Sequence, residues 1–204
     1  MIQGDSVNHA LRDGLLAMAR RDREVRAELV RSGELSEGYH PRMETVHEEN
    51  GHRLEEILDE RGWPGRSLVG EDGAEAAWLL AQHAIAMPAL MRRARDLVEA
   101  AVAAREAEPW MYAYLDDRIR SFEGRPQRYG TQFDWDAEGR MRPLPIEDPE
   151  GIDERRSAVG LESMAERLAK MRAQTSAEGE RPPADLEAYR RGFEVWLLEV
   201  GWRK

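Results

Sequence analysis

The chain has 204 residues, of which 41% are hydrophobic and 34% charged, and its formal net charge is −10 at pH 7. This length suits one domain with a real core, and the acidic balance argues against a nucleic-acid-binding or membrane-binding surface. Because the chain has no cysteine, it holds no disulfide, thiol nucleophile or cysteine-ligated zinc. We see neither a secretory signal nor an apolar run of transmembrane length, so we expect a soluble, cytoplasmic protein.

Apolar residues recur at helical spacing through the first sixty residues. This spacing predicts a first helix over 5–31, with Asp5 or Ser6 as its N-cap and Gly33 as its stop. A loop with Gly38 follows. A second helix is predicted over 42–61 and ends at a glycine–tryptophan–proline–glycine turn.

The middle of the chain alternates between strongly apolar and irregular segments. Residues 72–87 leave almost no polar face, which is typical of a buried helix. Pro88 begins or kinks a further helix, and another is predicted over 110–122. Glycine, proline and a short apolar alternation in 124–146, with a turn at 136–139, predict a small β-hairpin.

The remainder of the chain completes an all-α fold. Short helices are predicted over 152–159 and 161–171, and a linker over 176–183. We therefore expect a multi-helix single domain of six to eight helices over 1–175, with one β-hairpin insertion. The amphipathic helix in 184–204 is expected as an appendage that docks on its own body or forms a homodimer.

Two adjacent polar residues interrupt the helix that we predict to be buried. Gln82 and His83 are the strongly polar residues between Glu75 and Arg92. A buried imidazole or carboxamide without a hydrogen bond costs about 1–3 kcal/mol, so each needs a partner. His83 could be a satisfied core histidine, but histidine is also the residue type whose unperturbed side chain titrates near neutral pH, so His83 is our candidate catalytic acid or base.

Further polar residues stand out on apolar helices or in the irregular segment. Each also has a purely structural explanation. Asn50 could be a hydrogen-bonded core asparagine, Asp117-Arg118 an ordinary ion pair, and 126–132 a polar surface loop. We assign a catalytic role to Asp117 beside His83, and a substrate-binding role to Asn50, Gln82, Arg118, Gln127, Tyr129, Thr131 and Gln132. Because polar groups on apolar faces satisfy one another most cheaply by clustering, we predict that one cavity collects His83, Asn50, Asp117, Arg118, Gln127, Tyr129 and Gln132.

Motifs for metals and cofactors are not recognised. His47 and His52 resemble the histidine pair of a zinc-protease helix, but that motif needs histidines four residues apart, and these are five apart. No phosphate-binding loop, nucleophile elbow or dinucleotide fingerprint is present. The sequence therefore predicts no metal and no cofactor.

The polar residues also occur in an ordered series of motifs that resembles a widespread bacterial family of uncharacterised proteins. The resemblance covers 43–171, implies that the polar cluster belongs to the family pattern, and brings no established activity. Two positions depart from the pattern: His47 stands where we expect an aspartate, and Ile85 where we expect an acid. The motifs are Asn50, Gly62-Trp63-Pro64, Val69-Gly70, Ala76-Ala77-Trp78, Ala81-Gln82-His83-Ala84, Tyr114-Leu115 with Asp117-Arg118, Gly124, Pro126-Gln127, Tyr129-Gly130-Thr131-Gln132, Ile146-Glu147-Asp148-Pro149, Asp153-Glu154-Arg155-Arg156 and Gly160-Leu161.

Two classes of function remain open. The first is an enzyme that uses His83 as general acid or base on a small polar or anionic molecule, in a hydrolysis, elimination or isomerisation. The second is a non-catalytic protein that binds a ligand or neutralises a basic partner, which the net charge of −10 favours. The sequence leaves undecided whether the protein is an enzyme.

Overall fold

The computed structural model of the protein describes residues 7–34, 39–179 and 181–204. Within these residues the chain forms eight helices and one two-stranded antiparallel hairpin, which confirms the predicted all-α fold with a small β-hairpin. No helix in these ranges is both long and apolar enough to cross a membrane. The elements are α1 (His9–Ser32), α2 (Pro41–Arg61), α3 (Arg66–His83), α4 (Pro88–Ala103), α5 (Pro109–Phe122), β1 (Phe133–Trp135), β2 (Met141–Pro143), α6 (Ile152–Ala158), α7 (Met164–Glu178) and α8 (Leu186–Glu199).

The helices are distributed over two compact units, with the boundary inside α5. The first unit contains residues 7–34 and 39–112, and so the helices α1 to α4. The second unit contains residues 113–179 and 181–204, and so the hairpin and the helices α6 to α8.

The helix α3 is the central element of the first unit, because it packs against α1, α2 and α4. Its small side chains allow this close approach, and Ala77 and Ala81 are fully buried. The prediction of a buried helix is confirmed, but its bounds differ. It begins at Arg66, bends at Gly70, where φ is +74°, and ends at His83 instead of residue 87. The backbone leaves the helical conformation at Ala84, where ψ is 42°, and Pro88 disfavours helical backbone in the residue before it, so the helix does not run to residue 87.

The ends of α1 and α2 follow ordinary capping chemistry. The predicted N-caps Asp5 and Ser6, like Gly38 of the predicted loop, lie outside the described residues. The side chain of Asn8 caps α1 by accepting a hydrogen bond from the backbone of Leu11 at 3.0 Å. Gly33 ends α1 in the left-handed conformation, as predicted.

In the second unit the hairpin packs against α7, and α7 packs against α6. Phe133 pairs with Pro143, and Trp135 with Met141, on either side of the predicted turn. The helix α7 is longer than predicted, because it continues to Glu178 through the start of the expected linker. The helix α8 packs on the ring of Phe122 through aromatic side chains, namely Phe193 and Trp196, followed by Trp202 just after the helix.

Candidate active site

Three helices of the first unit each contribute one side chain to a buried cluster. Asp22 comes from α1, His47 from α2 and His83 from α3. Nδ1 of His83 lies 2.9 Å from Oδ2 and 3.0 Å from Oδ1 of Asp22, and Nε2 of His47 lies 3.3 Å from Oδ2. The two imidazole rings are 4.9 Å apart between centroids. We call this group the Asp22–His47–His83 cluster.

Asp22 is the innermost member of the cluster. It occupies the apolar stripe of α1 together with Leu15, Ala19 and Leu29, and its side chain is only 1% exposed. Burial by itself raises the pKa of this carboxyl group, but the imidazoles of His47 and His83, which lie within 3.3 Å of it, outweigh that effect and hold the pKa well below its usual range. Asp22 therefore supplies a buried negative charge to both imidazoles.

His47 is held between Asp22 and a tyrosine. Its Nδ1 lies 2.8 Å from the hydroxyl of Tyr39, and the two rings stack at 5.6 Å. Burial raises the pKa of Tyr39, so this phenol stays protonated. Nε2 of His47 is buried and lies within ion-pair distance of Asp22, yet it makes no well-directed hydrogen bond to any described residue.

His83 is the member of the cluster that reaches the surface. It is the last residue of α3, where the chain turns before Pro88. Its side chain is 23% exposed, compared with 9% for His47 and 1% for Asp22. A molecule from solvent therefore meets the cluster at His83 first.

The arrangement is suited to two kinds of chemistry. A histidine whose Nδ1 faces a buried carboxylate is held in one tautomer and orientation, as in acid–base catalysis. Two imidazoles and one carboxylate also form a ligand set for a divalent transition metal. The ligand atoms of the three residues all lie within 4.8 Å of one another.

Sequence reasoning found His83 but missed its main neighbours. Asp22 stands at helical spacing after Leu15 and Ala19, so an acid on the apolar stripe of α1 was the available signal. Because charged residues stand on both sides of Asp22, the sequence around it has the pattern of a solvated helix face. His47 entered the sequence argument through its spacing to His52, although it shares the buried face of α2 with Asn50.

Two other predicted residues are buried in the first unit. Asn50 follows His47 by three residues on α2 and is 4% exposed, and its Nδ2 has no hydrogen-bond partner among the described residues. Gln82, beside His83 on α3, is 2% exposed.

Asp117 lies in the second unit, where it holds an irregular loop together. Its carboxylate, completely buried, accepts hydrogen bonds from the backbone N–H groups of Arg128, Tyr129 and Thr131, at 2.6, 3.1 and 3.0 Å, and from the Thr131 hydroxyl at 3.0 Å. Burial raises the pKa of Asp117, although these four donors oppose that shift. These bonds make Asp117 the anchor of residues 128–131.

The side chains of Gln127 and Gln132 fix the same loop. Gln127 is completely buried, and its amide donates to the carbonyls of Gln132 and Leu144 and accepts from the backbone of Gln132. Gln132 accepts from Nε of Arg118 at 3.0 Å, and burial lowers the pKa of Arg118 to about 10. Arg156, which is 1% exposed, donates to the carbonyl of Tyr129.

The predicted site residues thus fall into two groups. His83, Asn50 and Gln82 are in the first unit, and the others surround Asp117 in the second. That all of them line one cavity remains a prediction.

Of the comparisons with known proteins, the one with protein-family models gives a match. Neither the curated proteins nor the solved structures yield a match to it. The model of a family of unknown function, DUF6624, matches residues 9–187, a range that extends beyond both ends of the resemblance noted in the sequence. The chain therefore belongs to the DUF6624 family of unknown function.

Proposed function

We propose that the protein is an enzyme that acts on a small polar or anionic molecule, with the Asp22–His47–His83 cluster as its reaction centre. The observation that carries the proposal is the position of Asp22, whose buried carboxylate faces the imidazoles of both histidines. A purely structural carboxylate in a helical core needs one partner with good geometry, whereas this one is shared by two titratable rings. Such an arrangement is typical of sites that move protons.

In this proposal His83 is the residue that meets the substrate. Asp22 faces its Nδ1, which favours the tautomer with the proton on that nitrogen and assigns proton exchange to Nε2 on the opposite side of the ring. Hydrolysis, elimination and isomerisation each need such a proton transfer. His47 is the second imidazole beside this carboxylate, and its Nδ1 lies 2.8 Å from the hydroxyl of Tyr39.

Residues of the second unit have a different role in the proposal. The carboxylate of Asp117 and the amide of Gln127 form their hydrogen bonds with backbone groups of the loop. In the proposal these two residues therefore position the loop and do not react. A guanidinium group suits a carboxylate or phosphate, so Arg118 is proposed to bind an anion within the second unit. The acidic, cysteine-free composition favours a cytoplasmic small-molecule enzyme over one that acts on nucleic acid.

The experiment is an activity screen with a matched histidine control. The purified protein is incubated with panels of small esters, phosphoesters, amides and hydroxy acids, and with a cell extract followed by mass spectrometry. His83→Gln is expected to abolish any turnover found, while His52→Gln, a change at an exposed histidine of α2, leaves it intact. The melting temperature of both variants is measured beside activity.

One outcome of this experiment supports the proposal, and two refute it. Loss of turnover in a His83→Gln variant that is still folded at the assay temperature supports the proposal. Equal turnover in wild type and His83→Gln refutes it. So does a large fall in melting temperature in His83→Gln when no panel or extract shows turnover, because His83 is then a structural residue.

A further inference from the structure

We propose that the Asp22–His47–His83 cluster binds one divalent transition-metal ion, through Nε2 of His47, a carboxylate oxygen of Asp22 and Nδ1 of His83. The three side chains come from three helices and meet with these atoms facing one another. No motif of the sequence predicts this site, since the zinc-protease spacing fails.

Two of the three ligand–ligand distances in the cluster are close to those of a metal site, and the third is at most 4.8 Å. With bonds of about 2.0–2.2 Å to nitrogen and oxygen, neighbouring ligand atoms of a tetrahedral ion lie about 3.3–3.5 Å apart. Nε2 of His47 lies 3.3 Å and Nδ1 of His83 2.9 Å from Oδ2 of Asp22. An ion that enters among the three atoms therefore needs shifts of a few tenths of an ångström at the two edges that Asp22 forms.

A second observation that points to a ligand is the buried ring nitrogen of His47. Nε2 belongs to a side chain that is 9% exposed, and it makes no properly directed hydrogen bond among the described residues. A buried polar atom without a partner carries a free-energy cost. A metal ion bound to this nitrogen removes that cost, because its lone pair then points at the ion.

The environment of His47 also contains the outer contact that metal-binding histidines usually have. Such histidines donate the N–H of their second ring nitrogen to an oxygen, which fixes the tautomer and the ring orientation. The hydroxyl of Tyr39, 2.8 Å from Nδ1, is placed to accept that bond. Tyr39 is therefore a positioning residue of the proposed site.

The donor set restricts the kind of ion. Two imidazoles and one carboxylate suit zinc, iron(II), cobalt(II) and nickel(II), whereas calcium and magnesium prefer oxygen ligands throughout. Three protein ligands also leave coordination positions open for water or substrate, as in catalytic sites and in contrast to closed structural ones. The partial exposure of His83 puts those positions within reach of solvent.

A catalytic role for this ion rests on the proposed function, whereas binding of the ion does not. An ion held by Asp22, His47 and Nδ1 of His83 would supply an acidified water, whose hydroxide form would accept the proton in place of the His83 imidazole. Metal binding itself is measured without any knowledge of the substrate. The two proposals can therefore fail separately.

The experiment measures binding of zinc and cobalt(II) to the full chain after removal of metals with a chelator. Calorimetry gives stoichiometry and affinity, and the visible absorption of cobalt(II) reports ligation. One ion per chain is expected. Affinity is expected to fall at least about 100-fold in His47→Gln, His83→Gln and Asp22→Asn, and about 10–100-fold in Tyr39→Phe, the range known for outer-contact residues. His52→Gln is the matched control and binds as the wild type does.

Nuclear magnetic resonance of the wild-type histidine nitrogens covers the case in which a variant fails to fold. Zinc is expected to shift Nε2 of His47 and Nδ1 of His83 and to leave the ring of His52 unchanged. Absence of stoichiometric binding, or zinc-induced shifts confined to other histidines, overturns the inference. Turnover that needs His83 without any bound metal overturns it while sustaining the proposed function. Stoichiometric metal binding without turnover sustains the inference and counts against the proposed function.

Discussion

Nδ1 of His83 is nearly equidistant from the two carboxylate oxygens of Asp22, at 2.9 and 3.0 Å, although 61 residues separate the two in the chain. This contact joins the end of α3 to the middle of α1. Both helices contribute to the core of the first unit, so the contact links its packing to the proposed chemistry.

The first prediction concerns this contact. Asp22→Asn keeps the shape of the side chain but removes its charge and replaces one acceptor oxygen by an N–H donor that faces an imidazole. Because hydrogen bonds to charged groups contribute about 1.5–3 kcal/mol, we expect the free energy of unfolding to fall by that amount. Urea denaturation measures it. Asp13→Asn, at a side chain that is 70% exposed, is the control and should change stability by less than about 0.5 kcal/mol.

The second prediction concerns the anchor of the loop in the second unit. Asp117→Ala removes the acceptor of three backbone N–H groups, those of Arg128, Tyr129 and Thr131. We expect these amides to exchange with deuterium much faster, because each loses its hydrogen bond. Mass spectrometry or nuclear magnetic resonance reads the exchange. Asp148→Ala, at an exposed residue, should leave the three amides protected, and equal protection in both variants would contradict the prediction.

The third prediction is a pH dependence of the β-hairpin. Asp136 accepts hydrogen bonds from the backbone of Glu138 and Arg140 and from the side chains of Arg140 and Arg142. Burial opposes ionisation of this carboxyl group, but these bonds outweigh it and hold the pKa of Asp136 well below its usual value of 3.8.

The sign of the dependence follows from the direction of that shift. Because the pKa of Asp136 is lower in the folded hairpin than in the unfolded chain, its contribution is fully present above about pH 4. It is lost as the pH falls through the folded pKa. Amide chemical shifts of Glu138 and Arg140 should therefore move only in acid, and they should lose that titration in Asp136→Asn. A titration centred at the ordinary aspartate pKa in the wild type would contradict the prediction.

Sequence patterns predicted the elements better than the contacts between them. The apolar run of 72–87 indicates a buried helix because it leaves no polar face, and the turn at 136–139 marks the hairpin because glycine ends it. The start of α3 at Arg66 was missed because Gly70 interrupts the helical pattern with a positive φ.

The difference between local patterns and contacts between elements also explains which residues of the candidate site could be predicted. His83 stood out because its own helix is apolar, which is a local signal. Its contact with Asp22 depends on how α1 packs on α3, and no spacing along the chain encodes that packing. The role of Asp117 was also hidden, because the donors that surround it are backbone N–H groups, which every residue but proline carries.

The last prediction concerns the apolar side of α8. Leu197 of this helix is completely buried, whereas Val195 and Leu198 are 53% and 49% exposed. The helix therefore packs on the second unit with one side and keeps apolar residues on the other. Because a contiguous apolar surface favours association, we expect two copies of the chain to pair through α8.

Charge placed on the exposed side of α8 should prevent that pairing. Leu198→Glu is expected to convert a dimer into a monomer in light scattering coupled to size exclusion, because a carboxylate at the centre of an apolar interface must be desolvated without a partner. Glu187→Gln, on the same helix at a side chain that is 89% exposed, is the control and should leave the dimer intact. A wild-type protein that is monomeric at concentrations of about 100 µM, where a contact of micromolar affinity would be populated, contradicts the prediction.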